Sequence, residues 1–378
     1  MFLFSPSIYF WSFLFFLINA FCFINFFLLL DMSNSKFAFR RLPDDICSKV
    51  LKTMEHHEII VYSFTSTKSL SLVQSLCLPL KKARIKMQVW PDIYLDFGNV
   101  TELFEWKMGE YGKEMKSIDD IPVKVNVSTQ KKSQEFGPIF TNTAFTWSSQ
   151  KKSIGECIQR ICSIFRCESY EADFYIETIT FDMQSLRNTF PKLRNIIISC
   201  FKIEPNERDI QNAQNILRVF LPYVQNVILH GVPLQESLSF QHIGMANLKE
   251  LDFYYPHNPK FDELLILNER CRIRRTQFSL RDLNRFFKLW TKGFFPKLQS
   301  LQIFGRLEKV SDWNILFKGL NAEDAGDSEG LGGKRYLIEN TREVCGQVRT
   351  QTVGRPVHLN IRFTVSKLQR SSPQIWDF

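Results

Sequence analysis

The chain has 378 residues, with 48 Lys+Arg against 39 Asp+Glu, a formal charge of +9 and 44% hydrophobic residues. That mixture excludes disordered, collagenous and small disulfide-rich classes, and with only one long apolar run it also excludes a polytopic channel or transporter. The run comes first. Ile8 to Leu30 is 23 residues without a charged side chain, and 10 of the 36 Phe fall within the first 30 positions. At about 1.5 Å per helical residue it is long enough to cross a hydrocarbon core about 30 Å thick. It lacks the basic n-region and small-x-small cleavage site of a secretory signal. The first basic residues, Lys36, Arg40 and Arg41, lie on its C-terminal side, so an inserted segment would leave the main body in the cytosol. The other reading makes residues 1–31 a non-native extension ahead of Met32. The expected location is cytoplasmic or nuclear, membrane-anchored if residues 1–31 are retained.

A helical segment follows, FRRLPDDICSKVLKTMEHHEIIVYSFTSTKSLSLVQSLCLPL from Phe39 to Leu80. Pro43 suits the first position of a helix, and Asp44 and Asp45 complement the positive end of its dipole. Ile46, Val50, Leu51 and Met54 are spaced along one apolar face. A second helix is expected from Glu58 to about Phe64, and a third, behind Ser/Thr caps, near Ser69 to Leu76. A unit this small buries little on its own, which suggests a partner that completes its apolar surface. The order Leu42-Pro43, Ile46, Val50-Leu51, Ile59-Ile60, Ser63, Ser66, Lys68 and Val73 resembles an F-box over residues 37–80. The resemblance implies docking to the Skp adaptor of cullin–RING ubiquitin ligases. Leu42, Pro43, Ile46, Val50, Leu51, Ile59 and Ile60 would then supply apolar contacts to the adaptor, and Ser63 tight helix packing. The Phe64-Thr65-Ser66-Thr67 turn departs from the Leu-Cys-Ser often found there.

Farther along, Arg84 to Trp90 and Val123 to Val127 alternate with period two, as half-exposed strands do. Residues 84–150 are expected to be a strand-rich connecting region, with 128–150 reading as loop or linker. Ile154, Ile158, Ile161 and Phe165 mark an amphipathic helix. A P-x-L-x-x-L-x-apolar frame then recurs around Leu193, Val224, Leu248 and Leu298, at spacings of 31, 24 and 50 residues. Such spacings suggest one or two periods of a leucine-rich-repeat-like unit, with parallel strands joined by helices. One crossover is legible: Ser279 caps a helix with Asp282 three residues on, Leu283, Phe286, Phe287 and Trp290 line one face, and Gly293 ends it.

This half is similar to the nematode F-box-associated domain of the second type. The similarity rests on Phe278 to Trp290, Pro296 to Leu301 and Ile315 to Leu320, and continues weakly through Arg335-Tyr336, Gly354 to Arg362 and Ile375 to Phe378. It implies substrate recognition within a ubiquitin ligase. The expected fold class is α/β: a small three-helix F-box (37–80), then a leucine-rich-repeat-like stack (151–378) for substrate recognition, with an N-terminal transmembrane helix if Ile8–Leu30 is retained.

No H-E-x-x-H, G-x-S-x-G or P-loop pattern occurs, and no catalytic residue, metal site or cofactor is assigned. Cys157, Cys162 and Cys167 recur every five residues, a step of about 140° on a helix, so they do not converge on a metal. Gly330 to Arg335 reads as a surface loop rather than a phosphate cradle. The basic run Lys81 to Lys86 alternates with apolar residues and reads as the solvated face of a strand. The +9 charge gives nonspecific attraction to nucleic acid, but no motif makes nucleic acid the partner. The expected function is a noncatalytic substrate-recognition adaptor of an SCF-type ligase, bound to Skp and to a protein target. The alternative is a membrane-tethered repeat protein that binds a partner with no ubiquitin connection.

Overall fold

The structure, a computed structural model, describes residues 42–366 apart from 90, 109–116, 123, 134–136, 140–144, 148–151, 168–169, 180–182, 191–192, 233–242, 244–245, 255–268, 277, 307–312, 329–332 and 354–357. The chain divides into two compact units, Met1–Leu76 and Cys77–Phe378.

In the first unit α1 (Asp44–Leu51), α2 (His56–Ser63) and α3 (Thr67–Ser75) follow one another. Pro43 caps α1 instead of opening it: its backbone is extended (φ −54°, ψ 144°) and its carbonyl accepts the Cys47 N–H at 3.0 Å. Asp44 and Asp45 occupy the first turn and Lys49 the last, each on the side the helix dipole favours. Glu55 and Glu58 close a capping box at α2, and Ser66 Oγ accepts the Ser69 N–H at 3.0 Å to start α3. Leu51, Ile59, Ile60, Val61, Phe64 and Val73 are buried.

The second unit opens with β1 (Pro79–Leu80), β2 (Lys82–Met87), β3 (Asp92–Asp96), β4 (Val100–Lys107), β5 (Lys124–Ser133), β6 (Gly137–Ile139) and β7 (Phe145–Trp147). Residues 128–133, expected as loop, thus continue a strand. Helix α4 (Ile154–Ile164), with its Ser153/Glu156 capping box, leads into β8 (Arg166–Cys167) and β9 (Tyr170–Tyr175). Then come α5 (Met183–Thr189), β10 (Asn195–Ser199), α6 (Glu207–Phe220), β11 (Asn226–His230), β12 (Glu250–Tyr254) and β13 (Arg270–Thr276). Helix α7 (Leu280–Thr291), β14 (Ser300–Arg306), the short α8 (Asn314–Phe317), β15 (Glu323–Ser328), β16 (Gly333–Glu339), β17 (Cys345–Val353) and β18 (His358–Ser366) complete the unit.

Strand β1 pairs only with β8, while the other strands form one mixed sheet of 16. Its order is β15-β16-β17-β18-β14-β13-β12-β11-β10-β9-β2-β3-β4-β5-β6, with β7 also on β5. From β14 to β2 every pairing is parallel; beyond β14 and beyond β2 every pairing is antiparallel. Side chains alternate across the pleat, so alternate positions on each strand share a face. One face is apolar and meets the helices. Phe174 of β9 packs on Phe220 at the end of α6 (ring centroids 5.3 Å apart), and Phe363 of β18 on Phe287 and Trp290 of α7 (5.5 and 4.9 Å). As expected, α7 starts on Ser279 and Asp282, buries Leu283, Phe286, Phe287 and Trp290, and ends before Gly293, whose φ of +85° suits glycine.

The expected fold class is overturned. There is no leucine-rich-repeat-like stack: the parallel strands are the middle of a single mixed sheet, hydrogen-bonded onward at β14 and β2 to antiparallel strands that no repeat supplies. The recurring frame has a local cause. Leu193, Val224, Leu248 and Leu298 are each buried two residues before a strand, and the backbone just after them is joined sideways: Gln225 N–H to Arg194 C=O, Lys249 N–H to Gln225 C=O and Arg270 N–H to Lys249 C=O, at 2.7–2.9 Å. The parallel strands β11, β12, β13 and β14 thus begin against their neighbours in the same way, the last through the Gln299 N–H to Glu269 C=O. The three helices of residues 44–75 form a small helical unit whose fold alone does not establish an F-box. Among the described residues no helix is long and apolar enough to cross a membrane, and Ile8–Leu30 lies outside them. The acidic run from Glu323 and residues 333–335, expected as loop, lie in β15 and β16; residues 329–332 are outside the described residues.

Gly346 of β17 lies under the α7 contact. A Cβ there would come within 2.3 Å of the Phe363 ring and 2.9 Å of Trp290. Gly346→Ala is expected to destabilise the second unit by about 2 kcal/mol, the range of overpacked cores, read as a lower urea midpoint.

Candidate protein-binding surface

The face of the sheet away from α6 and α7 is polar, and its groups are held by neighbours across the strands. Glu171 of β9, 3% exposed, takes Lys82 Nζ at 2.6 Å and Arg84 Nε at 2.5 Å, both from β2. The Arg84 contact is coulombic, since Glu171 Oε1 has no hydrogen bond of good geometry. This settles the Lys81–Lys86 run: Lys82 and Arg84 are half-buried partners of one carboxylate, not a solvated row. Lys86 instead lies over the Tyr94 ring, 4.5 Å from its centroid.

Beside Glu171, Asp173 Oδ2 accepts the Tyr175 hydroxyl at 3.3 Å, and Ser199 Oγ of β10 donates to Oδ1 at 3.5 Å. Burial raises the Asp173 carboxyl above the ordinary range, and burial together with Asp173 pushes Tyr175 up to about 12. Farther across, Asp252 of β12 is 2% exposed. Its Oδ2 accepts Arg272 Nη1 at 2.9 Å and Arg274 Nη2 at 3.0 Å, while its Oδ1 has no hydrogen-bond partner. Arg272 Nε also donates to Gln302 Oε1 of β14 at 3.2 Å. Glu171 and Asp252 are almost fully buried while their basic partners are more than a third exposed, so losing the basic partners would leave a desolvated carboxylate.

Such a surface can recognise a polar segment by charge and hydrogen bonds. Cys157 and Cys162 are poor nucleophiles: burial pushes their thiols to about 12, which keeps them protonated at neutral pH. Among the described residues no group of three His, Cys, Asp or Glu could hold a metal.

The residues singled out in the first unit separate by exposure. Pro43 and Ile46 are exposed, Leu42 and Val50 half-buried. Leu51, Ile59, Ile60 and Ser63 are buried, with Ser63 Oγ donating to the Ile60 carbonyl. Leu51, Ile59 and Ile60 therefore offer no surface as they stand and serve as interior packing. Sequence reasoning missed Asp252, Arg272 and Arg274. The signal was there in Arg270-Cys-Arg-Ile-Arg274, a period-two alternation inside the 50-residue gap between repeats.

A family model described as F-box associated matches residues 239–303, which hold β12, β13, α7 and most of β14. No curated protein and no solved structure matches the chain significantly. The match supports an F-box-associated domain in the second unit, a substrate-binding module, and points in general to partnering with SCF-type ubiquitin ligases. It carries Asp252, Arg272, Arg274 and Gln302 within its bounds.

Asp92 of β3 allows a test of how this face responds to pH. Burial raises its carboxyl from 3.8 to about 7, with Glu105 adding to the rise; Lys107, Lys86 and the 2.6 Å hydrogen bond from Gln88 oppose it. The folded state thus takes up a proton between those two values, and the stability that brings is full below about pH 4 and lost as pH rises through 7. Asp92→Asn should flatten this dependence: between pH 5 and pH 8 the melting temperature of the parent should fall further than that of the variant. Parallel curves would show that Asp92 does not titrate there.

Proposed function

We propose that this chain is a noncatalytic substrate-recognition subunit of an SCF-type cullin–RING ubiquitin ligase. The observation that carries the reading is the F-box-associated match at residues 239–303. In this reading the second unit binds a protein target through its polar sheet face. The helical unit acts as an F-box and docks the Skp adaptor, and the ligase transfers ubiquitin because the target is held nearby, with no side chain here entering the chemistry. The work belongs to the cytosol or the nucleus.

Exposure divides the adaptor-docking residues into two groups. Pro43 and Ile46, with the half-buried Leu42 and Val50, would meet the adaptor. Leu51, Ile59, Ile60 and Ser63 would hold the helices that present them. Ile46 is 37% exposed, so a charge there is tolerated by the fold but not by an apolar interface.

The full chain, purified with a Skp adaptor and a cullin, should co-elute with both. Ile46→Asp is expected to lower adaptor recovery at least tenfold while moving the melting temperature by no more than a degree or two. Full recovery with Ile46→Asp would reject the docking face, and absence of ligase components from the parent would reject the reading as a whole.

A further inference from the structure

We infer that a row of arginines across β13, β14, β18, β17 and β16 is a docking strip for an extended Asp/Glu-rich segment of a partner protein. This rests on the second unit being a target-binding domain, and it names the chemistry of the target. Arg272 lies opposite Gln302, Gln302 opposite Arg362, Arg362 opposite Arg349, and Arg349 opposite Arg335. Residues directly opposed on neighbouring strands project to the same face about 5 Å apart, and like charges in that position repel. Arg335, Arg349 and Arg362 are three such like charges in succession.

Neutralisation from within the chain is confined to the β13 end. Arg272 and Arg274 share Asp252, and Arg272 also lies 3.7 Å from Glu250, but among the described residues Arg335, Arg349 and Arg362 make no ion pair. Arg349 Nε donates to Gln347 Oε1 at 2.9 Å, and Arg335 Nε is buried without a hydrogen-bond partner. Arg349 and Arg362 are exposed. By strand alternation, among the described residues the five strands carry one carboxylate on this face, Glu339, beside Arg270, Arg272, Arg274, Arg335, Arg349 and Arg362, while Glu250 and Asp252 of β12 and Glu323 of β15 flank the row at its two ends. A row that opposes its own stability is accounted for if an anionic ligand completes it.

The side chains also indicate the kind of ligand. The charged positions of the row are all Arg, whose planar fork pairs with carboxylates through two hydrogen bonds. Between and beside the arginines are Gln302, Gln347, Gln351 and Asn360, amides able to donate to and accept from a peptide backbone. The β18, β17 and β16 positions of the row carry no aromatic ring on which a nucleobase could stack, which favours a peptide over single-stranded nucleic acid. From Arg272 to Arg335 are four strand spacings, about 19 Å, or about six residues of extended chain.

The test uses the purified full chain and three fluorescein-labelled probes: a ten-residue peptide with six consecutive Asp/Glu, the same peptide with Asn/Gln in their place, and hexauridylate RNA. Fluorescence anisotropy should show the acidic peptide bound at least tenfold more tightly than the neutral one, and more weakly as salt is raised. R349Q/R362Q should weaken acidic-peptide binding at least tenfold while leaving the melting temperature equal or higher, because two repelling charges are gone. Equal binding of the neutral peptide, tighter binding of the RNA, unchanged affinity in the double variant, or a melting temperature lowered by several degrees would each overturn the inference. Acidic-peptide binding is measured apart from adaptor recovery. A chain that binds the peptide but no ligase component would reject the ligase reading alone, and one that recovers the adaptor but ignores the peptide would reject this inference alone.

Discussion

The second unit depends on the backbone ladder that keeps neighbouring strands in a common register. One line of opposed residues runs through Arg335, Arg349, Arg362, Gln302, Arg272, Asp252, Ile228, Ile197, Asp173 and Lys86, then on through Asp92, Glu105 and Asn126. Because side chains alternate across the pleat, slipping any strand by one residue would turn its polar positions toward the helices and its apolar ones away. The apolar rows on the opposite face, where Phe174 and Phe363 meet α6 and α7, prevent that slip. The burial that stabilises the sheet therefore also aligns the charges on its far side.

That coupling accounts for the different character of charges along one line. Near Asp173 and Asp252 the carboxylates are buried and matched by Tyr175, Ser199, Arg272 and Arg274, so charge is spent internally. Toward β16 the same line carries arginines that face one another. Interior pairs of this kind tie neighbouring strands together, whereas at the arginine end the opposed charges repel. The helical unit has a different economy: Leu51, Ile59 and Ile60 are occupied inside it, and among its described residues Ile46 is the large apolar side chain left exposed.

What the sequence disclosed follows the range of the interactions concerned. Capping and helical periodicity act over three or four residues, so α7 with Ser279, Asp282 and Trp290 was legible to its ends, while the helix at Ile154 was legible as a helix but not at its Ser153/Glu156 cap or at its end before the extended Phe165. The P-x-L frame located β10, β11, β12 and β14 because each strand starts by burying one apolar residue against its neighbour. It did not disclose that these strands lie within a mixed sheet. Pairings such as Gln302 with Arg362 join residues 60 apart, and nothing in either segment names the other. The frame also passed over β13, whose outward arginines break the apolar pattern. The charged network was therefore the least legible part, since its partners meet only through register. In the helical unit, the spacing that marked Ile46, Ile59 and Ile60 as apolar could not tell that Ile59 and Ile60 are buried while Ile46 is exposed.

The two ends of the sheet bear on how the chain behaves in concentrated solution. A ladder of 16 strands ends in unpaired backbone groups on both sides, and such groups invite a second copy to add itself. At one end β15 carries Glu323 and Asp324 and has an irregular register against β16, so a second copy's β15 would meet like charge and a bent template. At the other, β6 and β7 lie side by side along β5, each only three residues long, and Pro138 of β6 has no N–H to offer. Growth from edge to edge is disfavoured at both limits, and the sheet can be long without becoming the seed of a fibre.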